Sequence, residues 1–192
     1  MESTIVDKYY EDYRGLVDYL ESKKEVSLKN DADNNFKKIL VIVISSYFED
    51  NIIKIIKKFV GDNSNDNILI NSFVSKMAIE RKYHEFFDWD SKNANKFLSF
   101  FGEDFKKECG IDIEGNQDLK KAIEDFIEIG NIRNELMHKN FGIYTIDLTS
   151  EEVTSKASIV LANGANFAFL GTKDTMIKPN KKLISVCATR TG

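Results

Sequence analysis

The sequence predicts an all-α fold: an antiparallel helical bundle with two long central helices and a less regular, basic C-terminal tail. Three observations predict it. Apolar residues recur at helical spacing along most of the chain. Punctuation is sparse, with one proline and ten glycines in 192 residues, too little for the many turns of a β-sandwich or barrel. The composition, 42% hydrophobic and 30% charged, is that of a globular chain and excludes wholesale disorder. A chain of this length can bury about two-thirds of its unfolded surface. One helical domain over residues 1–170 and a basic tail over 171–192 account for it.

Ile5, Tyr9, Tyr13, Leu16, Val17 and Leu20 mark a first amphipathic helix over residues 4–23. The polar stretch Lys29 to Asn35 is expected to break the chain and cap a second helix over 34–60, stopped by Gly61. The run Phe36 to Ile44 is apolar nearly all round, as in a buried central helix or strand. Its continuation through Tyr47, Phe48, Ile52, Ile55, Ile56 and Phe59 without a turn favours helix. Residues 62–67 read as a loop, and a third helix spans 70–87 with Phe73, Val74, Met77 and Ala78 on one side. Ser91 is expected to cap a short helix through Phe101, stopped by Gly102, and another runs over 103–109 to Gly110. After a loop at 111–117, Asp118 caps a long helix to His138, stopped by Asn140 and Gly142. Thr149 and Glu152 have the spacing of a capping box, and Asn163-Gly164 is expected to interrupt the helix that follows.

The net charge of -4 is unevenly placed: residues 156–192 carry about +5 and the remainder about -9. An acidic body does not hold nucleic acid by a broad basic face, so any RNA contact must be local or assisted by a second copy or the tail. Cys109 and Cys187 are too few and too far apart for a disulfide framework or a cysteine zinc site, which makes a reducing cytosol the expected setting. The longest apolar run, Ile39 to Ile44, falls far short of a membrane span, and the acidic N-terminus does not read as a secretory signal. The expected location is therefore the cytoplasm.

On the long helix, Leu119, Ala122, Ile123, Phe126, Ile129, Gly130, Leu136 and Met137 form one apolar stripe at 100° per residue, and Arg133 falls inside it. A guanidinium on a core-facing seam needs an acid partner or a solvated cleft. Asn134 and His138 share the adjacent face, with His138 at the carboxyl end, where the helix dipole favours imidazolium. A fixed cation, an amide and a titratable base within two turns are parts that RNA cleavage by 2'-hydroxyl attack requires. With four Arg and two His in the chain, an Arg five residues before a His followed by Asn arises by chance in well under about 1% of such sequences. The structural alternative is that Arg133 pairs with an acid and His138 caps its helix.

The segment Arg133-Asn134-x-x-x-His138 at the end of a long helix resembles the HEPN superfamily, most closely the RiboL-PSP-type proteins of bacterial defence loci. Ser46-Tyr47-Phe48-Glu49, Phe97 to Gly102, Ile129-Gly130-Asn131-Ile132 and Thr149 to Glu152 extend the resemblance over roughly residues 34–152. The resemblance implies a HEPN-like bundle that dimerises with its motifs facing across the interface. It implies a metal-independent endoribonuclease, without cofactor, acting on tRNA or mRNA through Arg133, Asn134 and His138. It also implies an acid on an earlier helix, for which Glu49 is the candidate, and an antitoxin or defence-complex partner. A non-catalytic module binding a nucleotide or a partner protein is the alternative.

Other residues read as structural. His84, within Arg81-Lys82-Tyr83-His84-Glu85, reads as a half-exposed helix histidine rather than part of a nucleic-acid surface. Asp88 and Asp90 lack neighbours with metal-ligand spacing. Tyr9, Tyr10, Tyr13 and Tyr19 read as half-buried helix residues, and Cys109 has no activating environment for a nucleophile.

Overall fold

A computed structural model describes residues 5–80 and 82–167. Its helices are α1 (Ile5–Ser22), α2 (Val26–Ser64), α3 (Ile68–Val74), α4 (Tyr83–Phe86), α5 (Asn95–Ser99), α6 (Glu103–Gly115), α7 (Gln117–His138) and α8 (Ser150–Phe167). A π-helical turn, Ser75–Ile79, separates α3 from α4, and there is no strand among the described residues. The all-α expectation holds. The expected basic tail over 171–192 and Cys187 lie outside the described residues.

The long helices α1, α2, α7 and α8 pack on one another, with α7 against α8 and α1 against α2 as the broadest contacts. Leu40, Val41 and Ile44 of α2 meet Ile127 and Ile129 of α7 and Val153, Ala157 and Val160 of α8 in one core. Removing such side chains from water drives the assembly, at about 1.5–3 kcal/mol for each large one.

The polar stretch Lys29 to Asn35 does not break the chain: α2 begins at Val26, and the turn lies at Lys23 to Glu25, with Lys24 left-handed at φ 60°. Its polar residues are tied to neighbours instead. Lys29 pairs with Glu21 of α1, and Asp33 accepts hydrogen bonds from Tyr13 of α1 and Ser150 of α8. Tyr13 also stacks on Phe36, centroids 3.9 Å apart. Gly61 does not stop α2 either; the helix runs one turn further and ends where Asn65, left-handed at φ 51°, donates its N–H to the Gly61 carbonyl.

The single helix expected over 70–87 is three pieces, and its buried face differs from the expected one. Phe73 and Met77 are exposed, while Ile79, Tyr83, Phe86 and Phe87 enter the core. The backbone at Phe87 is extended (φ -116°, ψ 155°). Residues two apart share a side there, so the rings of Phe87 and Trp89 both reach Phe126, at 5.0 and 5.8 Å. Packing of these rings overrides local helical continuity. Ser91 does not cap a helix; its hydroxyl donates to the Asp88 and Asn93 carbonyls, and α5 starts at Asn95.

Gly102 does end that region, at φ 99°, a conformation that side-chain-bearing residues rarely adopt. The helix after it passes through Gly110 to Gly115, so the loop expected at 111–117 shrinks to Asn116. Asn116, not Asp118, caps α7, its side chain accepting from the Leu119 N–H. The capping box forms as expected: Glu152 N–H donates to Thr149 Oγ1 and Thr149 N–H to the Glu152 carboxylate. The backbone of α8 is helical through Asn163-Gly164, where an interruption was expected.

Candidate active site

The apolar stripe of α7 leads directly to the site. Ala122, Ile123, Phe126, Ile129 and Gly130 are buried, and beyond Gly130 the stripe divides: Leu136 stays in the core, while Arg133 is half-buried and Met137 is exposed. Arg133 thus stands where the core opens to solvent. Facing it is a small cavity of about 10 Å³, room for roughly one water. It is lined by Ser45 and Phe48 of α2, Tyr83 and His84 of α4, Trp89, and Arg133 and Asn134 of α7.

Among the described residues the guanidinium of Arg133 meets an amide and an imidazole. Its Nη1 donates to Asn134 Oδ1 at 3.3 Å and lies 3.2 Å from both ring nitrogens of His84. No carboxylate lies within ion-pair distance of it among the described residues. The structural alternative, an acid partner for Arg133, is therefore absent there. The fully buried Asp125 receives Lys121 at 2.8 Å and Lys156 at 2.7 Å, whereas the buried Lys38, like Arg133, has no carboxylate beside it among the described residues and meets the Phe141 carbonyl and ring instead.

His84 is an exposed residue of helix α4, in line with the expected helix histidine, and its contact with Arg133 was not anticipated. Its backbone carbonyl accepts from Trp89 Nε1 at 2.9 Å, and the Trp89 ring lies on the backbone of α7 at Gly130. A Cβ at Gly130 would come within 2.0 Å of that ring, so only glycine admits this approach. The chain's two histidines are electrostatic neighbours. Partial burial, then the Arg133 guanidinium, hold the His84 imidazole below its ordinary value; Glu49 pulls it up and His138 pushes it down. Burial, then Glu49, push the Tyr83 phenol up, with Arg133 acting in the opposite sense.

The expected residues thus fall as follows. Arg133 and Asn134 touch, whereas His138, exposed at the end of α7, makes no hydrogen bond to either among the described residues and acts on His84 only through its charge. Glu49, half-buried on α2, acts on Tyr83 and His84 rather than forming an ion pair with Arg133. Ser45 was not anticipated: its hydroxyl is buried without a hydrogen-bond partner among the described residues, and it lines the cavity. The sequence signals for the missed residues were slight. His84 is one of two histidines beside a basic and aromatic run, and Gly130 sits mid-helix with no turn to make.

The other candidates are structural in placement. Cys109 is buried at 4% exposure, and Asp88 and Asp90 are exposed. Among the described residues no three His, Cys, Asp or Glu side chains are grouped to hold a metal, and no helix is long and apolar enough to cross a membrane. Tyr10 and Tyr13 are half-buried, but Tyr9 and Tyr19 are more exposed than expected. The segment beyond His138 is tied down by two buried lysines of α2: Lys38 donates to the Phe141 carbonyl at 2.7 Å and Lys37 to that of Ile146 at 3.4 Å.

Among known proteins, the family model for RiboL-PSP-HEPN matches residues 7–163. No curated protein and no solved structure matches the chain.

Proposed function

The chain belongs to the RiboL-PSP-HEPN family, and from that premise we propose that it is a metal-independent endoribonuclease. The proposed substrate is single-stranded RNA or a tRNA loop, where in-line attack by the 2'-hydroxyl is sterically allowed, and the working form is a homodimer in the cytoplasm. The observation that carries this reading is the unneutralised guanidinium of Arg133, held by an amide and an imidazole at the mouth of the core.

Cleavage places extra negative charge on the phosphorus-bound oxygens as the 2'-oxygen adds. A preorganised guanidinium stabilises that charge without reorganising. Asn134, by accepting from Nη1, fixes the direction in which the remaining donors point. His138 serves a proton transfer, and Glu49 sets the potential around the site. The products are a 2',3'-cyclic phosphate and a 5'-hydroxyl. Such an activity is toxic to its own cell, so an antitoxin or a defence-complex partner accompanies this reading.

The acidic body favours a second reading, a non-catalytic module binding a nucleotide or a partner protein. Purified protein incubated with total tRNA and mixed RNA in EDTA separates the two. The nuclease reading expects cleavage in chelator that is lost in both Arg133→Ala and His138→Ala. Wild-type protein that matches these variants on every RNA would leave the binding module as the function.

A further inference from the structure

A group that moves a proton works only within hydrogen-bond reach of the reacting oxygen, about 3 Å, and a displacement of about 1 Å can cost about 10²-fold in rate. His138 therefore has to be held. Yet it stands exposed at the last position of α7 and makes no hydrogen bond to Arg133 or Asn134 among the described residues. Its place is set by its backbone, and the backbone there by the turn that follows. We infer that Lys38 of α2 is the positioning residue of His138, acting by locking that turn to the bundle. The inference rests on the nuclease reading and adds a residue that the motif does not contain.

The turn is built from the residues just after the motif. The Asn140 carbonyl accepts from the N–H groups of Ile143 and Tyr144 at 3.1 and 2.9 Å, and its side-chain oxygen accepts from the Gly142 N–H at 3.0 Å. Tyr144 closes the turn on α7 by donating its hydroxyl to Glu135, three residues before His138. These bonds shape the turn, but all of them lie within residues 135–144. The ties to another helix come from Lys37 and Lys38. Lys37 reaches further along, to the Ile146 carbonyl at 3.4 Å, and its charge is met by Asp33 at 3.5 Å. Lys38 grips one residue at two points. It donates to the Phe141 carbonyl at 2.7 Å, and its ammonium lies over the Phe141 ring, 5.1 Å from the centroid. Phe141 is three residues beyond His138, so the grip falls on the turn itself.

Stability does not account for the choice of residue. Lys38 is buried, at 5% exposure, and no carboxylate meets its charge among the described residues. An ammonium buried in this way is costly, and an apolar side chain of similar length is often neutral or stabilising in its place. What an apolar side chain cannot do is donate to a carbonyl and so fix where the backbone lies. The arrangement gives up stability for a fixed turn, and the residue beside that turn with chemistry to perform is His138. Each copy of the chain holds its own His138 in this way, so the same lock serves a site shared between two copies.

The test compares wild type with Lys38→Met, which keeps the length of the side chain and loses its donors and charge. On a short single-stranded RNA in EDTA, the variant is expected to lose about 10–100-fold in kcat with KM within about two-fold of wild type. Its Tm is expected to equal or exceed that of wild type, because the buried charge is gone. A second readout needs no activity. The chain has two histidines, so the Hε1 signals of histidine-labelled protein are followed by NMR and assigned with His84→Gln. Lys38→Met is expected to move or broaden the His138 signal and to leave that of His84 in place. A kcat within about two-fold of wild type, a rate and a Tm that fall together, or an unmoved His138 signal would overturn the inference and leave the nuclease reading standing. A wild type that cleaves no RNA would overturn the nuclease reading, and the His138 signal alone would then decide whether Lys38 seats this residue.

Discussion

Two carboxylates packed among the helices and the half-buried guanidinium of Arg133 differ in how their charge is met. Asp125 and Asp33 both sit among packed helices, and both are neutralised there. Arg133 is half-buried and has no carboxylate beside it among the described residues, an arrangement stability alone would not favour. Asp33 shows the structural case. Burial would raise its carboxyl, but hydrogen bonds from Ser150 and Tyr13 and the nearby Lys37 together hold it below the ordinary carboxylate value. A folded value below the unfolded one stabilises the protein above the unfolded pKa, about 4, and this contribution is lost as pH falls through the folded value. Asp33→Asn keeps an acceptor oxygen but not the charge. At neutral pH it is expected to cost about 1–3 kcal/mol, read as a lower Tm. Thermal melts from pH 7 down to 2 should show the gap to wild type closing below about pH 4. A gap unchanged at pH 2.5 would mean that the charge of Asp33 contributes nothing.

At the scale of elements, the site depends on how closely the segment from Tyr83 to Trp89 approaches α7, and Gly130 sets that distance. Gly130→Ala puts a methyl group within 2.0 Å of the Trp89 ring, a bulky side chain already hemmed in by Tyr83, Phe87 and Phe126. Overpacking of this kind costs about 1–3 kcal/mol. The larger consequence is the expected loss of the Trp89–His84 hydrogen bond and with it the seat of His84. Trp89 is the only tryptophan in the chain, so its fluorescence reports the change without interference. A red-shifted emission and weakened RNA cleavage are expected together; an unshifted spectrum would show that the indole does not rest on Gly130. This is also where the sequence stopped being legible. The stripe of α7, the capping box and the stop at Gly102 are encoded within a few residues and could be read directly. The polar stretch over 29–35 was misread because its partners, Tyr13 and Ser150, lie on other helices. The contact of His84 with Arg133 was not legible for the same reason, the two lying 49 positions apart.

For the whole molecule, the question is whether a homodimer completes the site or only carries two of them. The motif taken alone suggests a shared site, because one histidine cannot serve both proton transfers at once. Refolding equal amounts of wild-type and His138→Ala protein together decides between the two arrangements. If each site uses His138 of both chains, every mixed dimer is inactive and about a quarter of wild-type activity remains; if each site uses only its own chain's His138, about half remains. The shared site expects about a quarter. A second copy would also widen the RNA-facing surface, which a body carrying a net charge of about -9 outside residues 156–192 needs for reasons of charge as well as chemistry.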